Sequence, residues 1–251
     1  MFSFGPGDLS AESISIILSV ALLIGMAKTG VHGAGMLAVP LLAIVYGGKA
    51  SSGIMLPMLV IADVMGVWYY HRHASFKHLK ILFPWAAVGV IAGSWAGSFI
   101  PEDLFRIIMA ITIFLSLIVM VWLELGGKEK VPDNIYFGIA AGFLAGFTSM
   151  VGNLAGTVMV IYFLSMRLPK NVFIGTTAWF FMVVNWFKVP FHVWVWHTID
   201  TDSWLLAITI TPAIVLGAYL GIVFVKKMSE NVYRWFLVGM TLVAAIVMIL
   251  R

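Results

Sequence analysis

Long apolar runs separated by short polar or charged stretches dominate the pattern of the chain. They cover positions 14–27, 54–70, 81–100, 104–123, 172–196, 204–225 and 232–250, and most have the ~17–25 residues that cross a bilayer as a helix. Their apolarity is continuous, not alternating, which predicts helices and not barrel strands. Two shorter runs, 36–46 and 158–166, each follow a break rich in Gly, Ser, Thr or Asn. Each break and short run predicts a helical hairpin, short or re-entrant, one from each membrane face.

Composition agrees: 62% of the 251 residues are hydrophobic and 10% charged, against roughly 45–50% and 25% in a soluble domain. The fold class read from this is an all-α polytopic membrane protein, in the inner (plasma) membrane. No cleavage site follows the first run, so a removed signal peptide is not expected. The absence of cysteine excludes disulfides, thiolate metal sites and a cysteine nucleophile. The net charge of +4 resides largely in loops between spans, where it reports orientation and not nucleic-acid binding.

Loop charges set the expected topology. The stretch 71–80 carries His71, Arg72, His73, Lys77, His78 and Lys80 and reads as cytoplasmic, whereas Glu102 and Asp103 read as external. Lys128 and Lys130 place 126–133 inside, Asp200 and Asp202 place their loop outside, and Lys226 with Lys227 reads inside. Both chain ends are then expected outside. No carboxylate lies among His71, His73 and His78, so they are read as solvated topology charges and not metal ligands. Trp194, Trp196 and Trp204 read as an interfacial aromatic belt.

The halves also match. Pro84, Gly89, Gly93 and Arg106 correspond to Pro212, Gly217, Gly221 and Arg234 at one displacement of 128 (212 − 84), and Ser75-Phe76 corresponds to Ser203-Trp204. Because the matched loops carry opposite charge, two inverted-topology repeats are expected. The domain reading is a first repeat over 1–125, a cytoplasmic linker over 126–134 and a second, inverted repeat over 135–251.

Irregular backbone at membrane depth survives only where protein or a water-filled cavity satisfies it, so the two breaks are candidates for a midplane site. A helix starts after each break, offering free N–H groups and a positive dipole end that suit an anion. The candidate binding groups are Thr29, His32, Gly33 and Gly35 in the first break, and Thr148, Ser149, Asn153, Gly156 and Thr157 in the second. Lys188 lies deep in the run 172–196, where an ionisable group costs ~2.5–3.5 kcal/mol or more unless it faces a cavity or partner. Asn185 is on the same helix face, and Pro190 follows. Asp63 lies at a similar depth in the first half. Either it pairs with Lys188, or Lys188 serves an anionic substrate and Asp63, with Lys28, acts in coupling or gating. A purely structural pair is the third reading, and His32 is either a titrating group near neutral pH or a satisfied polar residue. No nucleophile motif, P-loop or dinucleotide fingerprint is present, and no cofactor is implied.

The segments KTGVHGAGMLAVPLLA (28–43), AGFTSMVGNLAGTVM (145–159) and RLPKNVFIGTTAWFFMVVNWFKVPF (167–191) resemble the sulfite exporter TauE/SafE family of membrane permeases. The resemblance spans nearly the whole chain and implies two inverted repeats and transport of sulfite, thiosulfate, sulfoacetate or related organosulfur anions. Many members carry G-x-G-G-G in both breaks; here the breaks read GVHGAG (30–35) and GNLAG (152–156). The expected function is a secondary transporter of a small anion working by alternating access. Its expected partners are that anion and the bilayer, with a proton as candidate coupling ion and an oligomer as an open alternative. The rival is a membrane-embedded enzyme or accessory subunit using Asp63, His32 and Lys188 for acid–base chemistry.

Overall fold

The computed structural model describes residues 11–46, 48–101 and 134–249, with scattered positions between 104 and 125. Among the described residues the regular elements are helices: α1 Ala11–Lys28, α2 His32–Tyr46, α3 Gly48–Tyr70, α4 Phe76–Phe99, α5 Ile135–Gly152, α6 Ala155–Ser165, α7 Lys170–Trp194, α8 Thr201–Thr209, α9 Thr211–Lys226 and α10 Glu230–Ile249. The all-helical membrane architecture expected from the apolar runs is present. Helices α4, α5 and α7, and α3 with the short turn that continues it to His73, are long and apolar enough to span; α8 and α9 together would make a fifth span. Most of the run 104–123, the loop 126–133, Arg106, Glu102 and Asp103 lie outside the described residues.

The run 204–225 corrects the expectation of one straight helix. It breaks at Ile210, and the two pieces meet at 53°. Pro212 opens α9 within its first turn; lacking an N–H, it cannot continue the ladder of α8. Its counterpart Pro84 lies inside a continuous α4, so the matched prolines do not do the same thing. Upstream, the Asp200 side chain caps α8 through the Ser203 N–H at 2.8 Å.

Helices α2 and α6, with 15 and 11 residues, are too short at ~1.5 Å per residue to cross a ~30 Å hydrocarbon core. Each forms a hairpin with the helix before it. Two glycine seams, each joining a helix of the first half to one of the second, hold these hairpins in place. A Cβ on Gly146 of α5 would fall on the carbonyl oxygen of Ala86 in α4, and one on Gly25 of α1 on that of Ile214 in α9. Likewise Gly89 of α4 lies against the Phe143 carbonyl and Gly217 of α9 against that of Leu22. Ala86 and Ile214 are 128 apart (214 − 86), and Gly25 and Gly146 are 121 apart (146 − 25). These seams bring backbones together as small residues do in membrane helix pairs.

The seam makes a direct prediction. Gly146→Ala should lower the thermal midpoint of the detergent-solubilised protein by several degrees, since a methyl there must push α4 and α5 apart, a strain of about 1–3 kcal/mol. Gly239→Ala in α10, where a Cβ would meet nothing within 4 Å among the described residues, should leave the midpoint unchanged or raise it slightly.

Two further expectations change. His78 is not simply a solvated charge: half-buried, it places Nδ1 2.9 Å from the Tyr162 hydroxyl of α6. Trp196 turns inward from the expected aromatic belt, donating from Nε1 to the Ser94 carbonyl at 3.0 Å and packing edge-on to His192, while Trp194 stays exposed. An indole N–H finds its acceptor when the ring is covered, and Gly97 of α4 leaves the room for that ring.

Candidate functional site

The first break is fixed by its neighbours. Thr29 donates from Oγ1 to the Ala218 carbonyl of α9 at 2.9 Å and back to Gly25 at 3.1 Å. Gly30 has φ +122°, with side chains of Ile174 and Val225 where a Cβ would stand, so only glycine fits. Its carbonyl accepts from the Tyr233 hydroxyl of α10 at 2.6 Å. In the second break Asn153 takes φ 56° as the left-handed cap of α5, a conformation asparagine tolerates. Its amide Nδ2 donates to Ser52 Oγ of α3 at 3.1 Å.

Helix α7 supplies the polar face. Phe181, Asn185, Lys188 and His192 follow at helical spacing, and Asn185, Lys188 and His192 are almost fully buried. Lys188 Nζ donates to Asn153 Oδ1 at 2.5 Å, Ser149 Oγ at 3.1 Å and Asn185 Oδ1 at 3.4 Å. These partners are neutral. Asn185 Nδ2 in turn donates to Asp63 Oδ2 of α3 at 2.7 Å, and the other carboxylate oxygen of Asp63 lies 2.8 Å from Lys28 Nζ. Lys28, the last residue of α1, also lies over the Phe181 ring at 3.9 Å, and its position favours a cation on dipole grounds. The reading that pairs Asp63 directly with Lys188 is therefore corrected: the carboxylate pairs with Lys28 and reaches Lys188 only through Asn185. Lys28 is nearer because the first break ends α1 beside α3, where Gly66 lies against the Lys28 carbonyl.

These groups surround a cavity of about 50 Å³, where about 10–15 Å³ already admits one water. Lys28, Ser149, Asn153 and Asn185 form its polar wall, and Ala27, Met55, Leu59, Leu154 and Phe181 its apolar wall. Gly35, in the first turn of α2, and Gly156, in the first turn of α6, complete it. First-turn residues of two helices thus line one cavity with a polar and an apolar wall. Among the described residues a Cβ on Gly156 would meet only Phe181, at 3.9 Å, so that glycine leaves space to the cavity instead of packing a seam.

The model of the sulfite exporter TauE/SafE family matches residues 17–248. The chain belongs to this family. No curated protein and no solved structure matches it. Family membership makes it a multi-pass membrane transporter of sulfur anions, and the cavity lies between the segments by which its sequence resembles the family.

Of the candidate residues, the structure brings Lys28, Gly35, Ser149, Asn153, Gly156 and Asn185 to the cavity wall. Lys188 and Asp63 stand behind that wall, joined to it by hydrogen bonds and an ion pair. Thr29 faces α9, and Thr148 turns back to the Leu144 carbonyl at 2.7 Å; neither lines the cavity. His32 and Gly33 are the first residues of α2 and Thr157 the third of α6, and their side-chain surroundings lie outside the described structure. Ser52 and Phe181 were missed. Phe181 had a signal in the sequence, because it lies one turn before Asn185 on the Lys188 face; Ser52 had a weaker one as part of the Ser51-Ser52 pair in an apolar helix.

Proposed function

We propose that the protein exports a small sulfur oxyanion, sulfite or a short organosulfonate, across the inner membrane by alternating access, with the cavity as its midplane site. The observation that carries this is the convergence of Gly35 and Gly156, first-turn residues of both hairpin helices, on one cavity walled by Lys28. Helix N-termini and a cation attract an anion, and the missing side chains allow close backbone approach. The recurrence of the α4–α5 seam in the α1–α9 seam supports an inverted repeat, whose two halves would rock about this site.

Among the described side chains, the geometry does not favour the enzyme reading. Asp63 and Lys188 do not line the cavity and are engaged with Lys28, Asn185, Ser149 and Asn153, so neither is offered to a reactant. Purified protein in vesicles should move isotope-labelled sulfite across the bilayer and return it with unchanged mass. Conversion of the anion, or no flux of sulfite or a short sulfonate, would refute the proposal.

Topology gives a second check on a cysteine-free background. Single cysteines at the exposed positions Lys77 and Thr201 should react with an impermeant thiol reagent from opposite sides of the membrane. Reaction from the same side would remove the inverted repeat.

A further inference from the structure

The charges around the cavity do not balance. Among the described side chains, two lysines, Lys28 from α1 and Lys188 from α7, share a single carboxylate, Asp63 from α3. Among the described side chains the remaining titratable neighbour is His192, one turn beyond Lys188, whose Nδ1 lies 2.8 Å from the Thr198 hydroxyl; it carries no negative charge that could balance the second lysine. Asp63 compensates Lys28 at 2.8 Å, whereas Lys188 rests on the neutral oxygens of Ser149, Asn153 and Asn185. With both lysines charged, one positive charge is left over. Buried in a region of low dielectric, that charge sets the stoichiometry of its counter-ion, because each further unit of uncompensated charge is strongly disfavoured there.

We propose that Asp63 is a charge-selectivity residue: by cancelling one of the two lysines it tunes the cavity for singly charged sulfur oxyanions, hydrogen sulfite or a sulfonate headgroup, and against doubly charged ones such as sulfate. This rests on the cavity being the transport site. Lys188 acts through the wall. It donates to the oxygens of Ser149 and Asn153, an arrangement in which the Ser149 hydroxyl, as acceptor from the lysine, can turn its own hydrogen to an oxyanion in the cavity, and the excess charge is felt there without Lys188 lining it.

Methanesulfonate and sulfate test this, being tetrahedral anions of similar shape that differ by one charge at any pH near neutrality. Ligand-dependent thermal shifts of purified protein at fixed pH and ionic strength give the ratio of their affinities. The wild type should prefer methanesulfonate by about tenfold or more. Asp63→Asn, which leaves two charges uncompensated, should move the ratio toward sulfate by roughly the same factor. Lys28→Met/Asp63→Asn removes the pair together and restores a single excess charge, so that whatever affinity remains without the Lys28 wall should again favour methanesulfonate.

A wild-type ratio near one, or an unchanged ratio in folded Asp63→Asn, overturns the inference. Should Asp63→Asn not fold, the wild type and the double variant decide: both must favour methanesulfonate, and a double variant favouring sulfate overturns it. Stabilisation by sulfite without any charge preference refutes the charge rule alone. Failure of sulfite, methanesulfonate and sulfate all to stabilise the wild type removes the site and the inference with it.

Discussion

Lys28→Met alone should lower the stability of the folded protein by about 3–5 kcal/mol, because it strands the fully buried Asp63 carboxylate without its cation. Asn185 would remain as a hydrogen-bond donor, which is too little to hold a buried charge. Lys28→Met/Asp63→Asn should recover most of that loss. The asparagine keeps the shape of the aspartate, and the methionine can contact the Phe181 ring that the Lys28 ammonium now covers. Unfolding midpoints of the two single variants and the double variant form a cycle. Additive losses would show that Lys28 and Asp63 do not act as a pair. Lys188→Met in the same assay should cost much less, since it leaves only neutral oxygens without a donor.

Transport should be far more sensitive to Lys188 than stability is. Lys188→Met should reduce sulfite flux by roughly 100-fold, the value of about one hydrogen bond to a charged group, while protein yield and midpoint change little. Three oxygens lose their common donor: those of Ser149, Asn153 and Asn185. Each then turns to a neighbour, and the Ser149 hydroxyl no longer presents its hydrogen to the cavity. Ser149→Ala should give an intermediate loss, as it removes one donor but leaves the cation. Initial rates in vesicles with matched protein content check both. Wild-type flux in Lys188→Met would make the lysine a packing device for the second break and nothing more.

Several of these groups were legible in the sequence because membrane burial makes polarity conspicuous. Lys188, Asn185 and Asp63 stood out as ionisable or amide groups in apolar helices, and each is almost fully buried and hydrogen-bonded. The two breaks stood out through glycine beside Ser, Thr and Asn, and Gly35 and Gly156 indeed face one cavity. What the sequence could not tell was rotation. Thr29 and Thr148 occupy the breaks as prominently as Ser149 does, yet Thr148 bonds back along its own helix and Thr29 bonds both back and across to α9. A hydroxyl can satisfy itself on a carbonyl one turn earlier, so its residue type does not reveal which way it faces. Pairing was similarly hidden. Depth alone suggested Asp63 with Lys188, but the end of α1 delivers Lys28 to the carboxylate first. The bend at Ile210 has no mark of its own in the sequence: Pro84 and Pro212 match, yet proline bends a helix only where its surroundings let the ladder part.

The most direct measurement is the sulfite-dependent shift in thermal midpoint of purified wild type against Gly156→Leu. The added side chain enters the cavity with little in its way at its base, so the variant should melt within a few degrees of the wild type without ligand and show no shift with sulfite, while the wild type is stabilised. Equal sulfite-dependent shifts in the two proteins would place the anion elsewhere and contradict the cavity as the binding site.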